Sequence, residues 1–170
     1  MTLYEGDYSN TKDEYATKPD LWRPIADALG GFDVDPASGV ENESIATTTY
    51  TAKDDGLAKT WDGTVWLNPP FSNKVDWYRK AVNEINAGNA KTVVALAPVD
   101  TSTQWFQNWF SKASVLCWLE GRAWYVAADS PSFNTVVGVF GEYPSELIGV
   151  LESRGVVTKQ IETKMQATIV

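Results

Sequence analysis

The sequence contains no histidine and a single cysteine, Cys117, among its 170 residues. Without imidazole there are no Ser-His or Cys-His nucleophile pairs and none of the usual zinc sites. One cysteine cannot form an internal disulfide framework or a cysteine metal cluster, so no metal centre is expected, and a reducing, cytoplasmic setting fits. No apolar run approaches the roughly 18 residues that span a bilayer, so no membrane partner is expected. The opening MTLYEGDYSNTKDEY is polar and acidic, the wrong chemistry for a signal or transit peptide. Basic residues are also scarce: 14 Lys and Arg against 22 Asp and Glu give a net charge of −8. That argues against a broad basic footprint for nucleic acid, though a local patch is compatible with it.

The balance that remains is globular. Hydrophobic residues make up 44% of the chain, and its length suits a single domain with one sizeable core. Residues 1–14 read as a polar lead-in, with the domain running over 15–170. The eight Trp are expected mostly in or beside the core.

Strand and helix signals alternate along that domain. Thr17-Lys18-Pro19-Asp20 opens a helix, capped by Thr17 or Asp20, with apolar residues at helical spacing over 21–29. Gly30-Gly31 stops it. A short strand over 32–35 ends on Asp35 and Pro36, and a second is expected over 47–50. Asp54-Asp55-Gly56-Leu57 reads as a turn. Residues 64–67 form a buried strand, followed by a helix over 73–87 with Val75, Tyr78, Val82 and Ile85 on its apolar face. A strand over 92–97 precedes a helix capped by Ser102. Further strands are expected over 115–119 and 135–140, with 122–126 continuing the first as a hairpin. Residues 145–153 read as a helix, and 156–170 carry weak strand signals. Strands alternating with helices of about a dozen residues imply an α/β domain with a mainly parallel sheet flanked by helices. In such sheets ligands bind beyond the carboxyl ends of the strands. Asp35 and Asn68 both fall at such ends.

The segment VWLNPPFS, residues 65–72, carries the most specific chemistry. The Asn68 side-chain oxygen is one hydrogen-bond acceptor and the Pro69 carbonyl another, held rigid because both prolines fix φ. Neither Pro69 nor Pro70 has an N–H. The result is a rim rich in acceptors and poor in donors, with the Phe71 ring beside it. That composition suits a planar group bearing NH₂, its two N–H bonds directed at Asn68 and Pro69 and its ring stacked on Phe71. An aromatic amine is a weak nucleophile, and fixed acceptors stabilise the positive charge that grows on nitrogen as it attacks. No histidine is needed. The plainer alternative is a diproline turn after a strand.

Asn-Pro-Pro-Phe is the signature of amino methyltransferases that use S-adenosylmethionine. The ordered blocks EYATKPDLW, GFDVDPAS, VWLNPPFSN, VVALAPVDTSTQWF, EGRAWY and VVGVFG resemble the phage-type DNA N6-adenine methyltransferase (Dam-like) family over roughly residues 13–140. The resemblance implies a Rossmann-like methyltransferase fold, S-adenosylmethionine as cofactor, and DNA as partner, its adenine flipped from the duplex and methylated at N6. It also implies a bacterial or archaeal host cell and a phage or prophage origin. By position it makes Asn68, Pro69, Pro70 and Phe71 catalytic. It places Asp35, Pro36 and Ala37 against the methionine part of the cofactor, with Thr17 nearby. Either Asp54 or Asp55 meets the adenosine end. Lys74, Arg79, Lys112 and Arg122 are the candidate DNA contacts. Two alternatives stay open: an amino methyltransferase acting on RNA or a protein amide, and a methyltransferase fold kept as a binding module. The cofactor loop here has one glycine, Gly39, which motivates the second.

Overall fold

A computed structural model describes residues 16–39, 44–122, 124–126 and 132–161. The expected lead-in over 1–14 and the end of the expected tail strand, 162–170, lie outside the described residues.

Among the described residues seven strands form one sheet: β1 (Phe32–Asp35), β2 (Ala46–Thr49), β3 (Gly63–Leu67), β4 (Ala90–Pro98), β5 (Val115–Leu119), β6 (Thr135–Gly141) and β7 (Gly155–Lys159). Their spatial order is β2-β1-β3-β4-β6-β5-β7. The described α-helices that flank it are α1 (Pro19–Leu29), α2 (Lys74–Asn86), α3 (Gln104–Asn108) and α4 (Glu146–Glu152). This is an α/β domain consistent with a Rossmann-like methyltransferase fold.

The parallel character expected from the sequence holds for β2, β1, β3 and β4, the half that carries the site. The other pairings, β4–β6, β6–β5 and β5–β7, are antiparallel, so the sheet is mixed. The reversal arises at one connection. Strands β4 and β5 are joined through α3, and β6 and β7 through α4. Residues 120–134, where described, contain no helix, so β6 returns antiparallel between β4 and β5.

Strand residues alternate between two cores. Val94 and Leu96 of β4 and Trp66 of β3 pack with Leu21 and Ile25 of α1 and Leu147 of α4. Val93, Ala95 and Ala97, with Val65 and Leu67, pack with Tyr78, Phe106 and Phe110 on the other face. Pro24 inside α1 cannot donate to the Asp20 carbonyl, and Arg154 Nη2 donates to that oxygen instead at 3.1 Å.

Several local expectations are corrected. The residue before α1 is Lys18, without a side-chain cap, because Thr17 is engaged elsewhere. Thr103 rather than Ser102 caps α3, its hydroxyl accepting from Phe106 N. On α2 the buried residues are Trp77, Tyr78, Ala81 and Glu84, while Val75 is exposed, because Trp77 turns inward to stack on Trp61. Residues 122 and 124–126 do not extend β5 as a hairpin, since β5 is already paired on both edges. Tyr125 instead bridges antiparallel to Thr17.

Candidate active site

Because β1 and β3 are parallel neighbours, their carboxyl ends share one edge of the sheet. Between them opens a cavity of about 250 Å³ whose lining includes Asp35, Pro36, Asp55, Asn68, Pro70 and Trp77. Asp35 is 5% exposed. Ala37 N donates to its Oδ1 at 3.3 Å. Burial pushes this carboxyl up to about 7, with the Ala37 hydrogen bond pulling the other way. A buried acid with so little hydrogen bonding is suited to a cationic ligand group. Its own backbone is fixed, since Tyr50 N donates to Asp35 O at 2.9 Å and Ser38 N donates to Tyr50 O at 2.9 Å.

The two adjacent acids diverge. Asp54 caps its own turn, accepting from Thr51 N at 2.8 Å and Thr51 Oγ1 at 2.9 Å, and these two bonds hold its carboxyl below the usual range. It does not line the cavity. Asp55 does, from a left-handed backbone with φ of 53°. Gly56 follows against Pro36, where a Cβ would sit 1.9 Å from the Pro36 carbonyl oxygen. This close approach admits only glycine.

A second tier holds that wall. Trp61 Nε1 donates to Gly56 O at 2.9 Å, and Trp61 N donates to Glu84 Oε2 at 2.9 Å. Burial alone would raise the Glu84 carboxyl. Hydrogen bonds from Trp61, Lys80 and Asn89, with the Lys80 charge, hold it below its usual value. Trp77 stacks on Trp61 at 6.1 Å and donates from Nε1 to Asn73 Oδ1 at 3.1 Å.

Asn68 follows β3 directly. Its Nδ2 donates to Thr17 Oγ1 at 3.2 Å, which turns its Oδ1 to the other side. Pro69 is buried and Pro70 lines the cavity. Phe71 is only 5% exposed, and Phe133 lies perpendicular to it with ring centres 5.1 Å apart. The sequence reading gives Phe71 as the stacking face; in the structure this ring is buried and in edge-to-face contact with Phe133.

A family model described as DNA N-6-adenine-methyltransferase (Dam) matches residues 7–137, well over half of the chain. The chain belongs to this family. Among Dam-type relatives, a DNA N-6-adenine-methyltransferase of Escherichia phage T1 is 28% identical over 111 residues, covering 64% of this chain and 45% of the phage protein. One of Haemophilus phage HP1 (strain HP1c1) is 36% identical over 76 residues, covering 44% of this chain and 43% of that protein. The chain thus matches less than half the length of either relative. No solved structure matches it significantly.

In this Dam-family chain the four candidate DNA contacts separate. Lys74 opens α2 at the rim, its Nζ donating to Phe71 O at 3.0 Å and lying 5.5 Å from the Trp105 ring centre. Arg122 follows the carboxyl end of β5, which runs in the same direction as β4, so it shares the rim with Asn68. Its Nε donates to Asn134 Oδ1 at 3.0 Å. Arg79 is further along α2, exposed and paired with Asp76. Lys112 lies at the opposite end of the sheet, beside Asn86 at the end of α2 and Gly141, which pairs with Thr92 near the start of β4.

Cys117 is buried beside the Leu151 carbonyl, and burial raises its thiol to about 11, which removes it as a nucleophile. Among the described residues no group of three or more potential metal ligands occurs, and no helix is long and apolar enough to cross a membrane. Sequence reasoning missed the Trp61–Glu84 tier, the Thr17–Asn68 hydrogen bond and Phe133. Only Glu84, a charge on an otherwise buried helix face, carried any local signal.

Proposed function

We propose that the protein methylates the N6 amino group of adenine in DNA using S-adenosylmethionine. The observation that carries this is one cavity lined both by a buried carboxyl, Asp35, and by Asn68 and Pro70 of the acceptor loop, which follow adjacent parallel strands.

The residues fit the cofactor. Asp35 is positioned for its ammonium group, and a cation there would restore the carboxylate that burial disfavours. Asp55 suits ribose hydroxyls, and Leu57, Trp66 and Trp77 supply the apolar and aromatic surface a purine needs. S-adenosylmethionine, when bound, supplies the electrophilic methyl group. Asn68 Oδ1 and Pro69 O accept the two N–H bonds of the target amine, orient its nitrogen, and stabilise the positive charge that develops there. The extra proton then passes to water from a nitrogen that has become far more acidic than the starting amine. Adenine reaches this loop flipped from the duplex.

The test is mass spectrometry of nucleosides after incubation with isotopically labelled cofactor and DNA, with RNA and protein challenged in parallel. Labelled N6-methyladenine from DNA is expected. Asn68→Ala should lower transfer by about 10²–10³-fold while still binding cofactor. A wild-type protein that binds cofactor yet labels only RNA or protein, or nothing, overturns the DNA assignment.

A further inference from the structure

The Asn68 carboxamide works only one way round. With its oxygen toward the substrate it accepts an amine N–H; flipped, it presents its own NH₂, and donor meets donor. Something must select the orientation, and the covalent chain does not.

We infer that Thr17 is the positioning residue that sets the Asn68 carboxamide and ties that setting to the cofactor cavity. This rests on the function proposed above. Thr17 Oγ1 accepts from Asn68 Nδ2 at 3.2 Å, although the two residues are 51 positions apart. The threonine is 7% exposed and its place is fixed by main-chain bonds on both sides. Lys18 N donates to Trp124 O at 2.9 Å and Val126 N donates to Ala16 O at 2.7 Å, so Thr17 sits between them, opposite Tyr125. Removing the hydroxyl therefore changes the hydrogen bond without releasing the backbone that carries it.

A hydroxyl can donate or accept, so the direction of its own proton decides which atom of Asn68 it faces. Thr17 lines the same cavity as Asp35. A carboxylate on a bound cofactor would accept a hydrogen bond from the Thr17 hydroxyl, leaving the oxygen lone pair for Asn68 Nδ2. Asn68 Oδ1 is then committed to the target amine. Cofactor binding and the readiness of the acceptor loop become linked through one side chain.

The experiment compares Thr17→Val, which keeps the shape and removes the hydroxyl, with Thr17→Ser, which keeps the hydroxyl and removes the methyl. Single-turnover methyl transfer to DNA is measured at saturating cofactor, and cofactor affinity by calorimetry. Thr17→Val should slow transfer by about 10²-fold, the scale expected when a catalytic group is misplaced, with less than a tenfold loss of cofactor affinity. Thr17→Ser should recover transfer to within a few-fold of wild type. Two results overturn the inference while leaving the enzyme assignment intact: wild-type transfer in Thr17→Val, or Thr17→Ser as slow as Thr17→Val. A wild-type protein that transfers no methyl group to DNA sinks the assignment itself, and this inference with it.

Discussion

On the β1–β2 side of the rim, each loop is tied to its neighbour. Tyr50 joins Asp35 and Ser38, Gly56 packs on Pro36, and Trp61 carries the Gly56 carbonyl down to Glu84 on α2. On the β4–β5 side, Asn68 and Phe71 are bordered by the strap 124–126 and by Phe133. Ties there include two main-chain bonds to residues 16 and 18, Trp124 Nε1 donating to Glu120 O, Arg122 Nε donating to Asn134 Oδ1, and ring contacts of Phe133 with Phe71 and Tyr125. The first side is a preformed wall, suited to a small charged molecule whose shape does not vary. The second differs in kind: its strap is tied across to the residues just before α1, and aromatic rings border Phe71, a surface that under the proposed function would meet the flipped base.

The largest expected effect breaks the first side at its floor. Asp35 holds its proton up to about pH 7 in the folded chain and loses it near 3.8 when unfolded. Below about pH 4 both states are protonated and the group is neutral for stability. Between 4 and 7 only the folded state keeps the proton, so the stability linked to Asp35 is lost as pH rises through that window, on the order of 4 kcal/mol in all. Asp35→Asn removes that penalty. Thermal unfolding without cofactor should show the variant more stable than wild type at pH 8, with the gain vanishing by pH 4. Calorimetry should show the opposite sign for cofactor: at least ~30-fold weaker binding, since the pairing charge is gone. An unchanged cofactor affinity would remove Asp35 from the binding role.

Next is the wall itself. Gly56→Ala forces a methyl to within 1.9 Å of the Pro36 carbonyl oxygen, backbone against backbone. Denaturant melts should show a loss of about 1–3 kcal/mol, with weaker cofactor binding because Asp55 moves with the turn. Glu84→Gln is milder. The amide still accepts from Trp61 N but gives up the Lys80 ion pair, 3.0 Å long, which should cost about 1 kcal/mol. The wild-type carboxyl is held below its usual value, so its contribution is present at neutral pH and lost as pH falls through the acid range. The gap between Glu84→Gln and wild type should therefore narrow on acidification, as urea melts from pH 7 to pH 4 would show.

The contrast between the two sides also separates what the sequence disclosed from what it hid. Strand β3 and its loop were legible because an apolar run ends on Asn-Pro-Pro, a local pattern with few other uses. Strand β1 ending on Asp35 was legible for the same reason. The choice between Asp54 and Asp55 was not, because it depends on a capping bond back to Thr51 that either acid could have made. Trp61 with Glu84, 23 residues apart, and Thr17 with Asn68, 51 apart, leave no local trace. The antiparallel half was hidden in an absence, the lack of a helix among the described residues between β5 and β6. Thr17 itself looked like a helix cap, a role its distant partner took away.

The smallest effect sharpens the second side. Four cations were candidates for DNA contact on sequence grounds, and the topology divides them. Arg122 shares the rim with Asn68, while Lys112 lies at the far end of the sheet beside Gly141. Each phosphate contact contributes close to one unit to the slope of log affinity against log salt. Titrating DNA over a range of salt concentrations should therefore give Arg122→Ala a slope shallower by about one. Lys112→Ala should keep the wild-type slope and affinity. If Lys112→Ala alone flattens the slope, DNA lies across the wrong end of the sheet for Asn68 to reach a flipped base, and the two-sided view of the rim fails with it.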